Sequence, residues 1–273
     1  MSPDIDSDYI TWKRSQAGAL ESLRDKQVWI LFSGGKDSSL ALQLLFAASK
    51  EFKFEFEVLC GTFPRHRYTM SVVSRIDTFW KDRGVKIHWH EVNESDDSLE
   101  HDDDPCVVCQ QTRRRGLYQL TSNRSPDSEK LVLITAYTLW DLVSYCLECV
   151  TAVEFAEPGT EHRIAGQMRF AEVGQRFYPL LKMESGLTIY RPVLAYNTQE
   201  VVRIIRAASI PILSTPCRYA QLRPKRVLET YFESMGLRFD YLQVLRFAER
   251  CLNLPSLKEI ESMSDERFLT RTF

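Results

Sequence analysis

The chain reads as an α/β protein: a parallel sheet with flanking helices, followed by C-terminal helices. Three observations predict it. Short apolar runs rich in strand formers recur at residues 28–32, 54–63, 85–92 and 130–135. Helical patterns separate them, an alternation that indicates crossover connections and a parallel sheet. The first run leads directly into Ser33, Gly34, Gly35, Lys36, Asp37, Ser38 and Ser39, and then into residues 40–48, strong helix formers without Gly or Pro.

Size and composition set bounds. With 273 residues the chain holds one large domain or two small ones and can bury a sizeable core. Hydrophobic residues make up 44% and charged residues 26%, ordinary for a globular protein. A net charge of −2 provides no global basic field for nucleic acid, although a local patch can suffice. The acidic, polar first eight residues do not read as a signal peptide, and no apolar run approaches the ~18 residues of a membrane span. A cytoplasmic protein is expected. Seven cysteines cannot all pair within one chain, so metal, redox or packing roles are expected of them.

Residues 1–26 form an N-terminal unit in which 9–25 read as an amphipathic helix, a packing or dimer element. The main domain spans 27–220. At its start, strand, glycine turn and helix together make an anion site. Paired glycines permit positive φ and let backbone N–H groups converge. The helix N-terminus adds partial positive charge, Ser33, Ser38 and Ser39 offer hydroxyls, and Lys36 supplies a mobile cation. The plainer alternative is a turn that caps the helix, with Asp37 in its first turn. The spacing is not that of a Walker loop.

The second strand, 54–63, is broken by Pro64. Residues 69–83 read as a helix closed by Gly84. In the third strand, 85–92, His88 and His90 share one face; without a third ligand nearby they read as strand-face residues. Residues 92–104 carry seven Asp or Glu and no Lys or Arg, a solvated loop or a flap. After the strand at 130–135 a helix is expected over 139–153. Residues 157–190, with scattered glycines, read as a β-rich or loop insertion. A helix at 198–208 with Thr198 as N-cap follows, then a strand-like run ending at Pro216-Cys217. The last unit, 221–273, reads as amphipathic helices.

Cys106 and Cys109, in Pro105-Cys106-Val107-Val108-Cys109, have the spacing that lets two thiolates reach one metal. Two ligands are too few, and Cys217 is the best candidate for a third. Cys146 and Cys149 share the spacing but fall in a helical pattern and read as packing residues. Cys60 and Cys251 read as core. Arg113, Arg114 and Arg115, with Arg218, Arg223, Lys225 and Arg226, either hold a phosphate or RNA backbone or pair with the acidic run.

The loop at 33–39 resembles the SGGxDS loop of the pyrophosphate-loop (PP-loop) ATP pyrophosphatases, with their adenine nucleotide alpha hydrolase-like fold. The full set of motifs resembles the tRNA 2-thiocytidine synthetase branch. The matches are residues 33–38, Pro105 to Cys109 with Arg113 and Arg114, Arg191-Pro192-Val193, and Pro216-Cys217. This resemblance covers residues 27–228. It implies that ATP and Mg²⁺ bind at the loop, that Gly61, Thr62 and Phe63 lie beside the adenine, and that Lys36 and Asp37 act on the phosphates. It also implies that Cys106, Cys109 and Cys217 hold a [4Fe–4S] cluster with one iron open for sulfide. A persulfide on one of these cysteines, or structural zinc, is the alternative.

The implied activity is an ATP-dependent sulfurtransferase. It adenylates a nucleobase carbonyl oxygen, releases pyrophosphate and installs sulfur from a donor such as a cysteine desulfurase. Three departures bear on the substrate. The family's Gly-His-His-x-Asp-Asp segment stands as Ala136-Tyr137-Thr138-Leu139-Trp140-Asp141, with Ser144 in place of a glutamate. A further late cysteine is missing, and the charge is mildly acidic. A free purine, as in thioguanine biosynthesis, therefore stands beside a tRNA base as expected substrate. Two other classes remain: an amide- or ligase-type enzyme of the same fold with structural zinc, and a nucleotide-binding protein without turnover.

Overall fold

The computed structural model describes residues 3–92, 94–124, 128–222 and 224–272, without the side chains of residues 3–6, 128, 162, 224–227 and 272. Its centre is a six-stranded sheet of order β3-β2-β1-β4-β6-β5. The strands are β1 (Gln27–Leu31), β2 (Glu57–Gly61), β3 (Ile87–His90), β4 (Leu131–Ile134), β5 (Leu180–Lys182) and β6 (Thr188–Tyr190). All neighbours run parallel except β5, which pairs antiparallel with β6. The α/β fold expected from the sequence is the fold observed. The strands are shorter than their apolar runs because pairing stops where the chain turns toward the loops.

Alternation along β1 divides the core. Val28 and Ile30 face one layer, where they meet Leu40, Leu44 and Ala48 of α2 (Lys36–Phe52) and Ile76 and Trp80 of α3 (Met70–Lys81). Trp29 faces the other layer with Leu59, Leu133, Ile189 and Phe268, covered by α5 (Pro105–Arg124). Helix α1 (Pro3–Glu21) starts earlier than its amphipathic pattern and packs on the first layer, where Trp12 donates from Nε1 to the Pro192 carbonyl at 2.7 Å. That supports its packing role.

Three expectations fail locally. The acidic stretch is not simply a solvated loop, since it contains the short helix α4 (Asp97–Glu100) with Leu99 buried. The region 157–190 does hold β5 and β6 but begins with a helix, α7 (Glu161–Gly174), placed after α6 (Leu139–Cys149) and a π-helical turn at Val150–Glu154. Helix α7 survives its two glycines because Gly166 lies close against Ala152 and Val153 and Gly174 against Pro255, where a side chain would not fit. Helix α8 (Thr198–Ala207) is capped by Asn197, not Thr198: Glu200 completes the capping box, and the Asn197 side chain bridges to Phe239. The run before Cys217 is extended but pairs with no strand among the described residues.

Helices α9 (Pro224–Ser234), α10 (Tyr241–Cys251), α11 (Leu257–Glu261) and α12 (Asp265–Arg267) follow, and Ile260 and Phe268 pack into the layer around Trp29. Trp140 of α6, fully buried, stacks on Phe232 of α9 at 5.1 Å and meets Phe239 edge-on. These aromatics fasten α9 to α6. Among the described residues no helix is long and apolar enough to cross a membrane.

Candidate active site

Strand order reverses at β1 and β4, and the crevice at their carboxyl ends is where ligands bind in sheets of this type. The loop after β1 opens there. Gly34 adopts φ of +72°, which favours glycine. Gly35 is the N-cap of α2 without a side-chain cap, and Asp37 stands in the first turn. The turn is held from within. The Ser33 amide donates to Ser38 Oγ at 3.2 Å, the two hydroxyls lie 3.1 Å apart, and Ser38 Oγ donates to the Gly35 carbonyl at 3.1 Å. Ser39 is fully buried, and its hydroxyl has no hydrogen-bond partner among the described residues. The structure therefore gives Ser33 and Ser38 to the loop's own geometry.

Lys36 is half-buried, with Nζ 2.6 Å from Glu229 Oε1 on α9 and 3.6 Å from Asp37 Oδ2. Glu229 is itself 7% exposed. Nothing in the sequence pointed to it: it is one carboxylate on an amphipathic helix almost two hundred positions away. Asp37 Oδ1 is buried without a hydrogen-bond partner among the described residues.

On the adjacent strand, Gly61 ends β2, and Thr62 donates from its amide to the His90 carbonyl at 2.9 Å. Phe63 is fully buried, so its side chain belongs to the core. Tyr68, just beyond, donates from its hydroxyl to the Ser33 carbonyl at 3.3 Å. Burial raises Tyr68 above its ordinary value and pushes the Cys60 thiol up to about 12, so both stay protonated at neutral pH.

The cysteine segments reach the same crevice from two sides. Asp104 accepts from the Val107 amide at 3.1 Å and Pro105 starts α5, which places Cys106 and Cys109 on its first turns. From the other side, the Leu213 amide donates to the Gly34 carbonyl at 2.6 Å, Arg67 donates to the Thr215 carbonyl at 3.3 Å, and Cys217 follows. Cys106 Sγ lies 3.9 Å from the Tyr219 carbonyl, so the two segments touch. All three cysteines are half-buried, and none is in a disulfide. Among the described residues, however, no three His, Cys, Asp or Glu side chains stand as a group that could hold a metal ion.

Of the other cysteines, Cys60, Cys146 and Cys149 are buried as expected, whereas Cys251 is exposed, because α10 turns that face outward. His88 and His90 do share a face, rings 6.5 Å apart, without a third ligand among the described residues.

The arginines divide. Arg115 pairs with Glu94 at 3.4 Å and Arg218 with Glu100 at 3.1 Å, the pairing with the acidic run that charge patterning allowed. Arg113 is solvent-accessible yet densely surrounded, with Tyr68, Cys60, Cys109 and Tyr137 within electrostatic reach, as suits a side chain lining a cleft. Arg223 and the side chains of Lys225 and Arg226 lie outside the described residues. Arg191 is fully buried, donating to the Tyr178 carbonyl at 2.7 Å and to Gln175 Oε1; burial pushes it down to about 9. Asp141 caps α6 by accepting from the Thr138 amide at 2.8 Å, and Ser144 bonds back to the Trp140 carbonyl.

Sheet order, loop and crevice together define an α/β fold with a mostly parallel sheet and a crevice edged by cysteines. No protein-family model matches the chain. No curated protein matches it either. Among solved structures it is similar to the U34-tRNA thiolase NcsA from Methanococcus maripaludis with its [4Fe-4S] cluster: 15% identity over 91% of this chain and 81% of that one, TM-score 0.61. It also aligns with an NH3-dependent NAD synthetase from Campylobacter jejuni, 11% identical over 90% of this chain and 93% of that one, TM-score 0.45. The chain shares the fold of the thiolase.

Proposed function

We propose that the chain is an ATP-dependent sulfurtransferase acting on a nucleobase carbonyl. The observation that carries this reading is the 2.6 Å hydrogen bond from Leu213 to Gly34, which ties the segment ending in Cys217 to the phosphate-type loop. A nucleotide on the loop and sulfur at the cysteines would then meet in one crevice. The similarity to a tRNA thiolase favours a tRNA base over a free purine as substrate.

Oxide is a poor leaving group, so the carbonyl oxygen must be activated first. That oxygen attacks the α-phosphorus of ATP, the bond to pyrophosphate breaks, and the base is left adenylated. Backbone N–H groups of residues 33–39 and the α2 N-terminus face the phosphates. Lys36 exchanges Glu229 for phosphate oxygens as charge builds on the departing pyrophosphate. Asp37, with its unpartnered buried Oδ1, is the side chain suited to Mg²⁺. Gly61, Thr62 and the Phe63 backbone border the adenine side. Sulfur then attacks the activated carbon and AMP departs with the original oxygen. Arg113, beside Cys109, is placed to hold the substrate phosphate.

Cys106, Cys109 and Cys217 would hold the cluster, which when bound would supply sulfide for the transfer. Their half-buried thiols, none of them in a disulfide, stand on two touching segments and suit that donor set in chemistry.

Anaerobic purification with iron, sulfide and optical analysis of wild type and Cys217→Ala tests the reading, followed by ATP-dependent thiolation of candidate RNAs and free bases. About four irons per chain, lost in the variant, are expected. Zinc with adenylation but no sulfur transfer would move the chain to the ligase-type reading. Bare thiols without any persulfide on Cys106, Cys109 or Cys217 would remove sulfur chemistry altogether. ATP binding without pyrophosphate release would leave only a nucleotide-binding protein.

A further inference from the structure

The tight turn after β2, Arg65–Arg67, carries a histidine that belongs to none of the motifs above. His66 Nδ1 lies 2.7 Å from Asp96 Oδ2, and the same carboxylate accepts from the backbone amides of Arg65 at 2.7 Å and His66 at 2.8 Å. On the far side of the ring, His66 Nε2 is 3.2 Å from the Arg218 amide, next to Cys217. A backbone N–H can only donate, so Nε2 must accept. The proton therefore sits on Nδ1 and is given to Asp96. One ring thus joins the acidic segment to the residue after the late cysteine.

Its neighbour completes the grip. Arg67 holds the Thr215 carbonyl two residues before Cys217, while His66 holds the Arg218 amide one residue after it. Arg218 is also tied to Glu100 of α4 through its side chain, and the His66 ring meets the Tyr219 ring edge-on at 6.2 Å. Only 7% of the His66 side chain is exposed, so water does not readily replace either hydrogen bond.

We propose that His66, oriented by Asp96, is a positioning residue for sulfur transfer: it fixes the backbone that presents Cys217. The acidic segment is then the bracket that sets the histidine tautomer, which accounts for a carboxylate-rich stretch beside a candidate substrate site. The proposal rests on the sulfur-transfer reading for its consequence in catalysis, but the clamp itself does not.

The test compares wild type with His66→Leu, His66→Gln and Asp96→Asn. Hydrogen–deuterium exchange of the peptide spanning residues 211–222 reads the clamp directly. In His66→Leu the Arg218 amide loses its acceptor, and exchange there rises about tenfold. His66→Gln restores an acceptor near the Nε2 position and brings exchange back to within about threefold of wild type. Asp96→Asn, which leaves the ring unoriented, falls between. In activity, His66→Leu lowers sulfur transfer about tenfold while pyrophosphate release stays within about threefold, and His66→Gln recovers most of the loss. Exchange in His66→Leu equal to wild type, or His66→Gln as fast as His66→Leu, overturns the clamp. A loosened segment with unchanged sulfur transfer overturns the positioning role. If the leucine variant does not fold, the glutamine and asparagine variants decide by the same exchange readout. A wild type that never thiolates sinks the functional reading alone, since the exchange result still stands.

Discussion

Replacing the two loop glycines one at a time separates what the fold needs from what a nucleotide needs. Gly34 has φ of +72°, and an added Cβ would lie 3.3 Å from Leu213 Cβ and 3.5 Å from Ile76 Cδ1. For Gly34→Ala the left-handed backbone alone costs about 1–2 kcal/mol. The contact adds to it by pushing away the segment whose amide bonds to the Gly34 carbonyl. Gly35 has φ of −76° and ψ of 169°, open to any residue, and its Cβ would meet only Ser33 Oγ at 3.4 Å. Gly35→Ala should therefore leave stability within about 1 kcal/mol of wild type, with a small gain from a less flexible unfolded chain. A nucleotide changes the balance: a methyl group there stands between phosphate and the converging N–H groups, and ATP affinity should fall at least tenfold, about 1.4 kcal/mol. Urea unfolding and calorimetric titration with Mg·ATP measure the two quantities. Gly35→Ala that binds ATP as wild type does would refute the phosphate cradle, and Gly34→Ala of undiminished stability would refute the loop geometry.

The other predictions concern partners of this loop. Glu229→Gln removes the charge that competes with phosphate for Lys36, so ATP affinity should rise a few-fold in the same titration; a fall would make Glu229 a helper of binding. Trp140→Ala empties a fully buried site between α6 and α9 and should cost about 3–5 kcal/mol by denaturant unfolding. A cost below about 1 kcal/mol would contradict the aromatic fastening. Asp96 provides a pH test. Burial works against its charge, but the His66 and Arg65 amides and the His66 ring outweigh it and hold the carboxyl below its ordinary value. Its contribution is then complete above the unfolded value of about 3.9 and is lost as pH falls through the lower folded value. The stability gap between wild type and Asp96→Asn should be constant near neutrality and close below about pH 4. A gap that widens with acid would reverse the sign.

Much of the architecture was legible because it follows from local rules. Apolar runs of strand formers marked β1, β2, β3 and β4, and the Ser33 to Ser39 turn between strand and helix marked the loop that sits at the sheet's switch point. Buried cysteines on α6 were readable from the helical spacing of their apolar neighbours. The helix α7 was missed because its glycines signal loop in isolation, and only the close approach of Ala152 and Pro255 gives them a reason. Asn197 was legible as N-cap from Glu200 three residues on, and only its second bond, to Phe239, needed the tertiary structure. Cys251 read as core from a pattern that does not say which face of a helix finds a partner.

What the sequence by itself determined is the run of strands β1 to β4 with α2 and α3 between the first three, the glycine turn and the short list of cysteines, since each depends on neighbours within a few residues. Tertiary structure alone decided that Lys36 meets Glu229, that Leu213 lies on Gly34, and that His66 stands between Asp96 and Arg218. Those contacts join residues separated by as many as 193 positions. No local propensity encodes such a pair. It arises when burial of the apolar layers around β1 brings distant polar groups into a space where each must find a partner or pay for its lost water.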